Sequence, residues 1–240
     1  MKRIIIVGAS SGIGAELARQ FISLGWRVGV ASRRMEPLLT LVELAPERVF
    51  AQHIDVQCED APNSLNMLIS KMGGVDIYLH SSGIGHQNKE LDAQIEIETM
   101  RTNGEGFVRM VTAAFNHFRE QGEGGHVVAI TSVAGTRGGG NAPAYSAVKA
   151  MQSHYLAGLA QLSNTESLNI TITDVLPGFV ATPLIGECPY PMVMEVEYAA
   201  RKIVKGVLRR GRRVVVDWRY SLLIAIWRLI PRYLWERMKL

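Results

Sequence analysis

Ser132, Tyr145 and Lys149 are the residues of this 240-residue chain whose types and spacing point most directly to chemistry. Tyr145 and Lys149 lie four positions apart in "YSAVK", so a helix there puts both on one face. A free tyrosine, with a pKa of about 10, is a weak acid–base at neutral pH. A neighbouring ammonium favours the phenolate and lowers that value. A tyrosine tuned in this way gives a proton to a carbonyl oxygen as hydride arrives, or takes one from an alcohol. Ser132 ends the apolar run "GHVVAITSV" and is placed to hydrogen-bond the same oxygen. Alone, Y-x-x-x-K is a common helical pair; its weight comes from what surrounds it.

Those residues need a scaffold, and the chain supplies a regular one. Apolar runs rich in β-branched residues alternate with helix-like segments: "KRIIIV", "WRVGVAS", "RVFAQHID", "VDIYLHSS", "GHVVAITSV", "LNITITDVLPG" and a last short "RRVVVD". Helices are predicted at 13–24, 35–45, 61–72, 95–118, 144–163 and 195–209. The strands are near-continuously apolar, so both sheet faces must be covered. This predicts an α/β fold: a Rossmann-like doubly wound parallel sheet of about seven strands with helices on both faces, plus a short C-terminal helical tail. The domain reading is residues 1–217 as a nucleotide-binding catalytic domain and 218–240 as its basic, apolar extension. In such sheets ligands sit outside the carboxyl ends of the strands.

The first strand runs into "GASSGIG", with Gly8, Gly12 and Gly14 spaced G-x-x-x-G-x-G. A helix N-terminus offers free N–H groups and a positive dipole end to a diphosphate, and glycine lets the backbone approach it. Ser10 or Ser11 is a candidate cap for that helix. After the second strand comes "ASRR", with Arg33 and Arg34 where a carboxylate would mark an NAD ribose. Guanidinium groups there suit a 2′-phosphate, which puts NADP(H) ahead of NAD(H).

"GASSGIG", "ITSVAG", "YSAVK" and "LPGFVATP" together resemble the short-chain dehydrogenase/reductase family in its compact single-domain form, from about residue 2 to 216. The resemblance implies NAD(P)(H)-dependent interconversion of carbonyl and alcohol on a Rossmann fold. It implies catalytic roles for Ser132, Tyr145, Lys149 and Asn103, the last ordering a water relay to the lysine. It implies cofactor contacts from Gly8, Ser10, Ser11, Gly12, Ile13, Gly14, Arg33, Arg34, Ser82, Gly83, Tyr145 and Lys149. Asp55 and Val56 would lie at the adenine, and Pro177, Gly178, Val180 and Thr182 beside the nicotinamide. Two departures stand out. Val7 replaces a frequent Thr, and residues 80–83 read His-Ser-Ser-Gly where Asn-Asn-Ala-Gly is usual.

Substrate shape is expected from 83–87, 135–144 and 184–192, with Phe179, Leu184, Tyr190 and Met192 as an apolar wall; His86 and Cys188 lie in these loops. The cysteines, Cys58 and Cys188, give no disulfide framework, and no histidine has metal-ligand spacing, so no metal is expected. The start lacks a signal-peptide pattern, which predicts a cytoplasmic protein. The net charge of +4 is uneven: residues 201–240 carry twelve Lys/Arg and two Asp/Glu. The apolar stretch 220–230, with Ser221 and Arg228 on a narrow polar strip, is too short to span a bilayer. Beyond Pro231, Leu234, Trp235 and Met238 are expected on one helix side and Arg232, Glu236 and Lys239 on the other. A subunit-interface or lid-side helix is the first reading of this tail, and an in-plane helix against anionic lipid the second. Expected partners are a lipophilic carbonyl or alcohol and a homodimer or homotetramer, with peripheral membrane contact through the tail. No base-reading motif suggests nucleic acid. The alternatives are a non-catalytic NAD(P)-binding sensor or scaffold, and a nucleotide-sugar epimerase, for which the chain is short.

Overall fold

The computed structural model describes residues 1–186 and 190–238. Its strands are β1 (Arg3–Val7), β2 (Arg27–Ser32), β3 (Val49–His53), β4 (Ile77–His80), β5 (Gly125–Ile130), β6 (Ile170–Leu176) and β7 (Arg213–Val215). They form one parallel sheet in the order β3-β2-β1-β4-β5-β6-β7. The helices are α1 (Gly12–Ser23), α2 (Glu36–Val42), α3 (Ala61–Lys71), α4 (Ala93–Met100), α5 (Phe107–Gln121), α6 (Pro143–Thr165), α7 (Val196–Leu208), α8 (Trp218–Leu229) and α9 (Arg232–Trp235).

β1 explains why both faces are covered. Ile4 and Ile6 point into one apolar layer, with Leu17 and Phe21 of α1, Ile203 of α7 and Tyr220 of α8. Ile5 and Val7 point into the other, with Leu65 of α3, Phe107 of α5 and Leu156 of α6. Alternate residues of one strand serve opposite cores, so an all-apolar strand wastes nothing on solvent. Val7 thereby has its account: it is a fully buried core residue ahead of the glycine loop.

The sheet order reverses at β1, which pairs with β2 on one side and β4 on the other. Val7 is level with both Ala31 and His80, so the ends of these three strands form one shelf. Ligands of open α/β sheets bind at such a switch point.

The expected single helix over 95–118 is a run of three parts. α4 and α5 are joined by a π-helical stretch, Arg101–Gly106, which contains Asn103. The wider turn lets Gly106 lie against Val56; a Cβ on Gly106 would stand 2.8 Å from Val56 Cγ2. π-turns inside α-helices frequently mark functional positions, because the extra residue re-aims a side chain.

Candidate active site

The glycine loop is shaped by its own backbone. Gly8 has φ +94°, and its N–H donates to the Ala31 carbonyl at 2.8 Å. A Cβ on Gly8 would run into the Ser81–Ser82 backbone, and one on Gly14 into the Gly8 carbonyl. Only glycine closes the loop this tightly while α1 begins at Gly12. Gly12, Ile13 and Gly14 stand in the first turn of α1, where N–H groups have no acceptor within the helix. The expected serine cap is absent: Ser11 sits at the cap position, but neither its hydroxyl nor that of Ser10 bonds the first turn. Both hydroxyls instead accept from Arg34 Nη2, at 3.3 Å (Ser10) and 3.5 Å (Ser11). Arg34 thus folds back over the loop. Arg33 is exposed and has no hydrogen bond or ion pair to the described residues.

The segment 177–182 closes the opposite side. A Cβ on Gly12 would stand 3.2 Å from Thr182 Cγ2, so the loop after β6 touches the start of α1. Val180 is buried and bridges to Met194. Asp55 and Val56 lie after β3, where Asp55 accepts from the Gln57 N–H at 3.0 Å and the Val56 carbonyl from Arg109 at 2.9 Å. Ser82 and Gly83 follow β4, with Gly83 beside Asn103 and Lys149.

The structure brings Ser132, Tyr145, Lys149 and Asn103 to this shelf. Ser132 follows β5 in extended backbone and caps a short 3₁₀ turn, accepting from the Ala134 N–H at 3.1 Å. Tyr145 lies in the first turn of α6, and Lys149 one turn on, with Nζ 5.7 Å from the phenol ring centre. Lys149 is buried and donates to the Ile130 carbonyl at 3.0 Å. Burial lowers its pKa to about 8, against a pull upward from the Asp174 carboxylate. Asp174 in turn accepts from Thr131 Oγ1 at 2.5 Å.

Tyr145 departs from the expectation drawn from its neighbour. Burial raises its pKa above the ordinary value, and a side-chain hydrogen bond with Ser132 draws it back. The protein by itself therefore holds a protonated phenol, with Ser132 rather than Lys149 opposing the effect of burial.

Asn103 acts here through its side chain. Oδ1 accepts from the Ile84 N–H at 2.8 Å, and Nδ2 donates to the Ile84 carbonyl at 2.6 Å. This two-point clamp holds Gly85 against the Tyr145 ring, where a Cβ would stand 3.0 Å from Cε2. The Asn103 backbone carbonyl accepts from Gln152 Nε2 at 2.7 Å. Gln152 is fully buried, and the sequence reading missed it, although its place three residues past Lys149 puts it on the same helix face. Glu96 was missed as well. It reaches from α4 to accept from the Ala144 N–H at 2.9 Å, bonding the N-terminus of α6 beside Tyr145, and the buried Asn88 holds it at 2.8 Å.

His80 takes the place of the first family asparagine. Its Nδ1 meets the Tyr78 hydroxyl at 2.9 Å, and its ring packs edge-on to Phe107. Burial holds its pKa down to about 3, and that of His126, paired with Thr173, to about 4. Both stay neutral in the fold, whereas unfolded histidine takes a proton near 6.5. Their contribution is complete above about pH 6.5 and is lost as pH falls towards 4 and then 3. Urea unfolding is expected to show about 2 kcal/mol lost per histidine between pH 7 and pH 5. His80→Asn should make that loss shallower; an unchanged slope would remove His80 from it.

The four residues of the expected apolar wall lie among the described residues. Phe179 and Tyr190 stack at 4.1 Å, and Gln87 Nε2 donates to the Tyr190 hydroxyl at 2.7 Å. Leu184 lies near Gly85 and Met192 packs on the core beneath. His86 is exposed, and Cys188 lies outside the described residues. The wall is braced by a residue not singled out in the sequence. Tyr220 of α8 accepts from the Phe179 N–H at 3.0 Å and donates to the Met192 carbonyl at 3.0 Å. Gly178 lies directly beneath the Tyr220 ring, with no room for a Cβ. Gly178→Ala is expected to cost about 1–3 kcal/mol by overpacking, read as a lowered Tm. A Tm equal to wild type would contradict this packing.

The tail differs from expectation past Pro231. α9 is only four residues long, Leu234 and Met238 are exposed, and Trp235 alone of the expected face is partly covered.

Compared with known proteins, residues 2–189 match the short chain dehydrogenase family model. The chain belongs to the short-chain dehydrogenase family. It is 29% identical over 240 residues to an uncharacterized oxidoreductase of Myxococcus xanthus, covering 97% of this chain and 94% of the relative. Its fold is similar to a short-chain dehydrogenase from Sphingobium yanoikuyae in complex with NADPH, with TM-score 0.81, 22% identity and coverage of 100% and 97%. It is also similar to a 3-ketoacyl-(acyl-carrier-protein) reductase from Brucella melitensis complexed with NADH, with TM-score 0.77, 23% identity and coverage of 86% and 90%. This short-chain dehydrogenase is thus a nucleotide-binding oxidoreductase on a Rossmann-like sheet. Among the described residues no helix is long and apolar enough to cross a membrane, and no cluster of three metal-ligating side chains occurs.

Proposed function

We propose that this short-chain dehydrogenase interconverts a lipophilic carbonyl compound and its secondary alcohol, with NADP(H) ahead of NAD(H). The observation that carries the proposal is Tyr145 in the first turn of α6 with the buried Lys149 5.7 Å from its ring, beside Ser132 at the end of β5 and next to the switch point of the sheet. The glycine loop fits a dinucleotide diphosphate: its backbone is drawn in where Cβ atoms would clash, and the start of α1 faces it. When bound, the nicotinamide cofactor supplies or accepts the hydride. Asp55 and Val56 would border the adenine, and Pro177, Gly178, Val180 and Thr182 the nicotinamide.

The chain's own residues do the rest. Ser132 and Tyr145 orient the carbonyl oxygen with two hydrogen bonds. Tyr145 passes its proton to that oxygen as the carbon is reduced, leaving a phenolate that the Lys149 ammonium steadies. Asn103 keeps the 83–85 segment against the ring. Phe179, Leu184, Tyr190 and Met192 give the substrate an apolar wall. Lys149 carries its charge below about pH 8. With saturating NADPH, kcat/KM for reduction is expected to fall as pH rises through that region. A profile flat from pH 7 to about 9 would contradict the role given to Lys149. The proposal itself is tested by turnover of NADPH with lipophilic ketones.

A further inference from the structure

We infer that the outer face of the C-terminal tail docks on an anionic lipid surface. α8 exposes Trp218 at 72%, Leu222 at 54%, Ile226 at 49% and Leu229 at 83%. Their spacing of four, four and three places them on one side of the helix. The opposite side carries Tyr220 and Ile224, both buried in the core. A stripe of this length is not the scattered apolar exposure of an ordinary surface. It continues past Pro231 into the exposed Tyr233 and Leu234, and at its other end Trp218 shares a surface cavity with the exposed Val193.

The charges beside the stripe choose the partner. Arg228 and Ser221 form one edge, and Arg228 has no hydrogen bond or ion pair to the described residues. Arg219 forms the other edge and is held by Asp217 through two bonds of 3.0 Å. Beyond the helix, the Arg237 side chain bonds the Tyr233 carbonyl, and the exposed Glu236 is taken by Arg232 at 2.7 Å. Exposed Glu195 lines the cavity at the Trp218 end, and along α8 and beyond Pro231 the charges not paired with an acid among the described residues, Arg228 and Arg237, are cationic. A two-fold contact between copies of this face would set like charges against each other, whereas an anionic headgroup layer neutralises them. Twelve residues of helix reach about 18 Å, short of a bilayer's hydrocarbon core, so the helix lies in the plane of the surface.

The inner side of the same tail fixes what would be docked. Tyr220 braces the apolar wall, Trp235 Nε1 donates to the Gly138 carbonyl at 2.8 Å, and Arg137 sits over the Trp235 ring and donates to the Trp227 carbonyl. The tail thus holds both the wall at Phe179 and Met192 and the loop between Ser132 and Tyr145. Lipid docking places those two loops at the membrane surface. The inference does not depend on the redox reading, because its test reads lipid binding.

The test is co-sedimentation of the full chain with phosphatidylglycerol/phosphatidylcholine vesicles and with pure phosphatidylcholine vesicles. Binding is expected to the anionic vesicles and to weaken with salt. Leu222→Glu with Ile226→Glu should lower it at least tenfold. Both positions are exposed, so Tm and NADPH affinity should stay at wild-type values. Arg228→Glu should weaken binding roughly fivefold or more. Absence of binding to anionic vesicles would overturn the inference, as would binding that the double variant leaves intact. A dimer by light scattering that the double variant splits, with no vesicle binding, would assign the face to a second copy instead.

Discussion

Tyr145→Phe is expected to lower kcat/KM for carbonyl reduction by about a thousandfold while leaving NADPH affinity within a few-fold of wild type. The change removes one oxygen and with it the proton donor. Among the described residues, Ser132 and Lys149 are poor replacements. Ser132 already accepts from the Ala134 N–H and has the pKa of an alcohol, and Lys149 is directed to the Ile130 carbonyl. The ring itself stays, so its contact with the 83–85 segment survives and the fold should not change. Ser132→Ala should cost less, about a hundredfold, because it removes orientation and charge stabilisation but not the proton. The ratio between the two variants is informative. Equal losses would make the serine as necessary as the tyrosine, and full activity in Tyr145→Phe would remove it as the acid.

Arg33→Asp is expected to weaken NADPH by about a hundredfold and to leave NADH within a few-fold, read by fluorescence titration of each nucleotide. Arg33 is exposed at the end of β2 with no partner among the described residues, so its charge is not spent within the fold. A carboxylate in its place would repel a 2′-phosphate and could accept a hydrogen bond from a ribose 2′-hydroxyl. Arg34 differs, since it is tied to Ser10 and Ser11 on the glycine loop. Arg34→Ala should weaken both nucleotides alike by loosening that loop. Equal loss of NADPH and NADH in Arg33→Asp would take Arg33 away from the 2′-phosphate.

The fold was readable because its signals are local and repeated. Each strand is a short apolar run rich in β-branched residues and bounded by turn residues, and each helix a longer, periodic one. Tyr145 and Lys149 were readable for the same reason, being one helical turn apart. What escaped depends on contacts between elements far apart in the chain. The π-turn at Asn103 leaves no periodic trace, since it inserts a residue into a helix pattern that otherwise continues. Glu96 capping α6, 48 residues away, is an ordinary helical glutamate in the sequence. Tyr220 looked like one more apolar residue of the tail, and only its hydroxyl contacts with Phe179 and Met192 give it a role. The upward push of burial on the Tyr145 pKa has no sequence signal, because burial of its oxygen is a property of the assembled site.

Hydride transfer between NADPH and a carbonyl compound at this site is directly measurable. The measurement is NADPH consumption and alcohol formation across a panel of lipophilic ketones and aldehydes, beside a direct titration of NADPH binding. Stoichiometric alcohol is expected from at least one ketone, and its formation is abolished in Tyr145→Phe. Tight NADPH binding with no turnover of any carbonyl compound, and no oxidation of the matching alcohols with NADP⁺, would contradict it and leave a nucleotide-binding sensor.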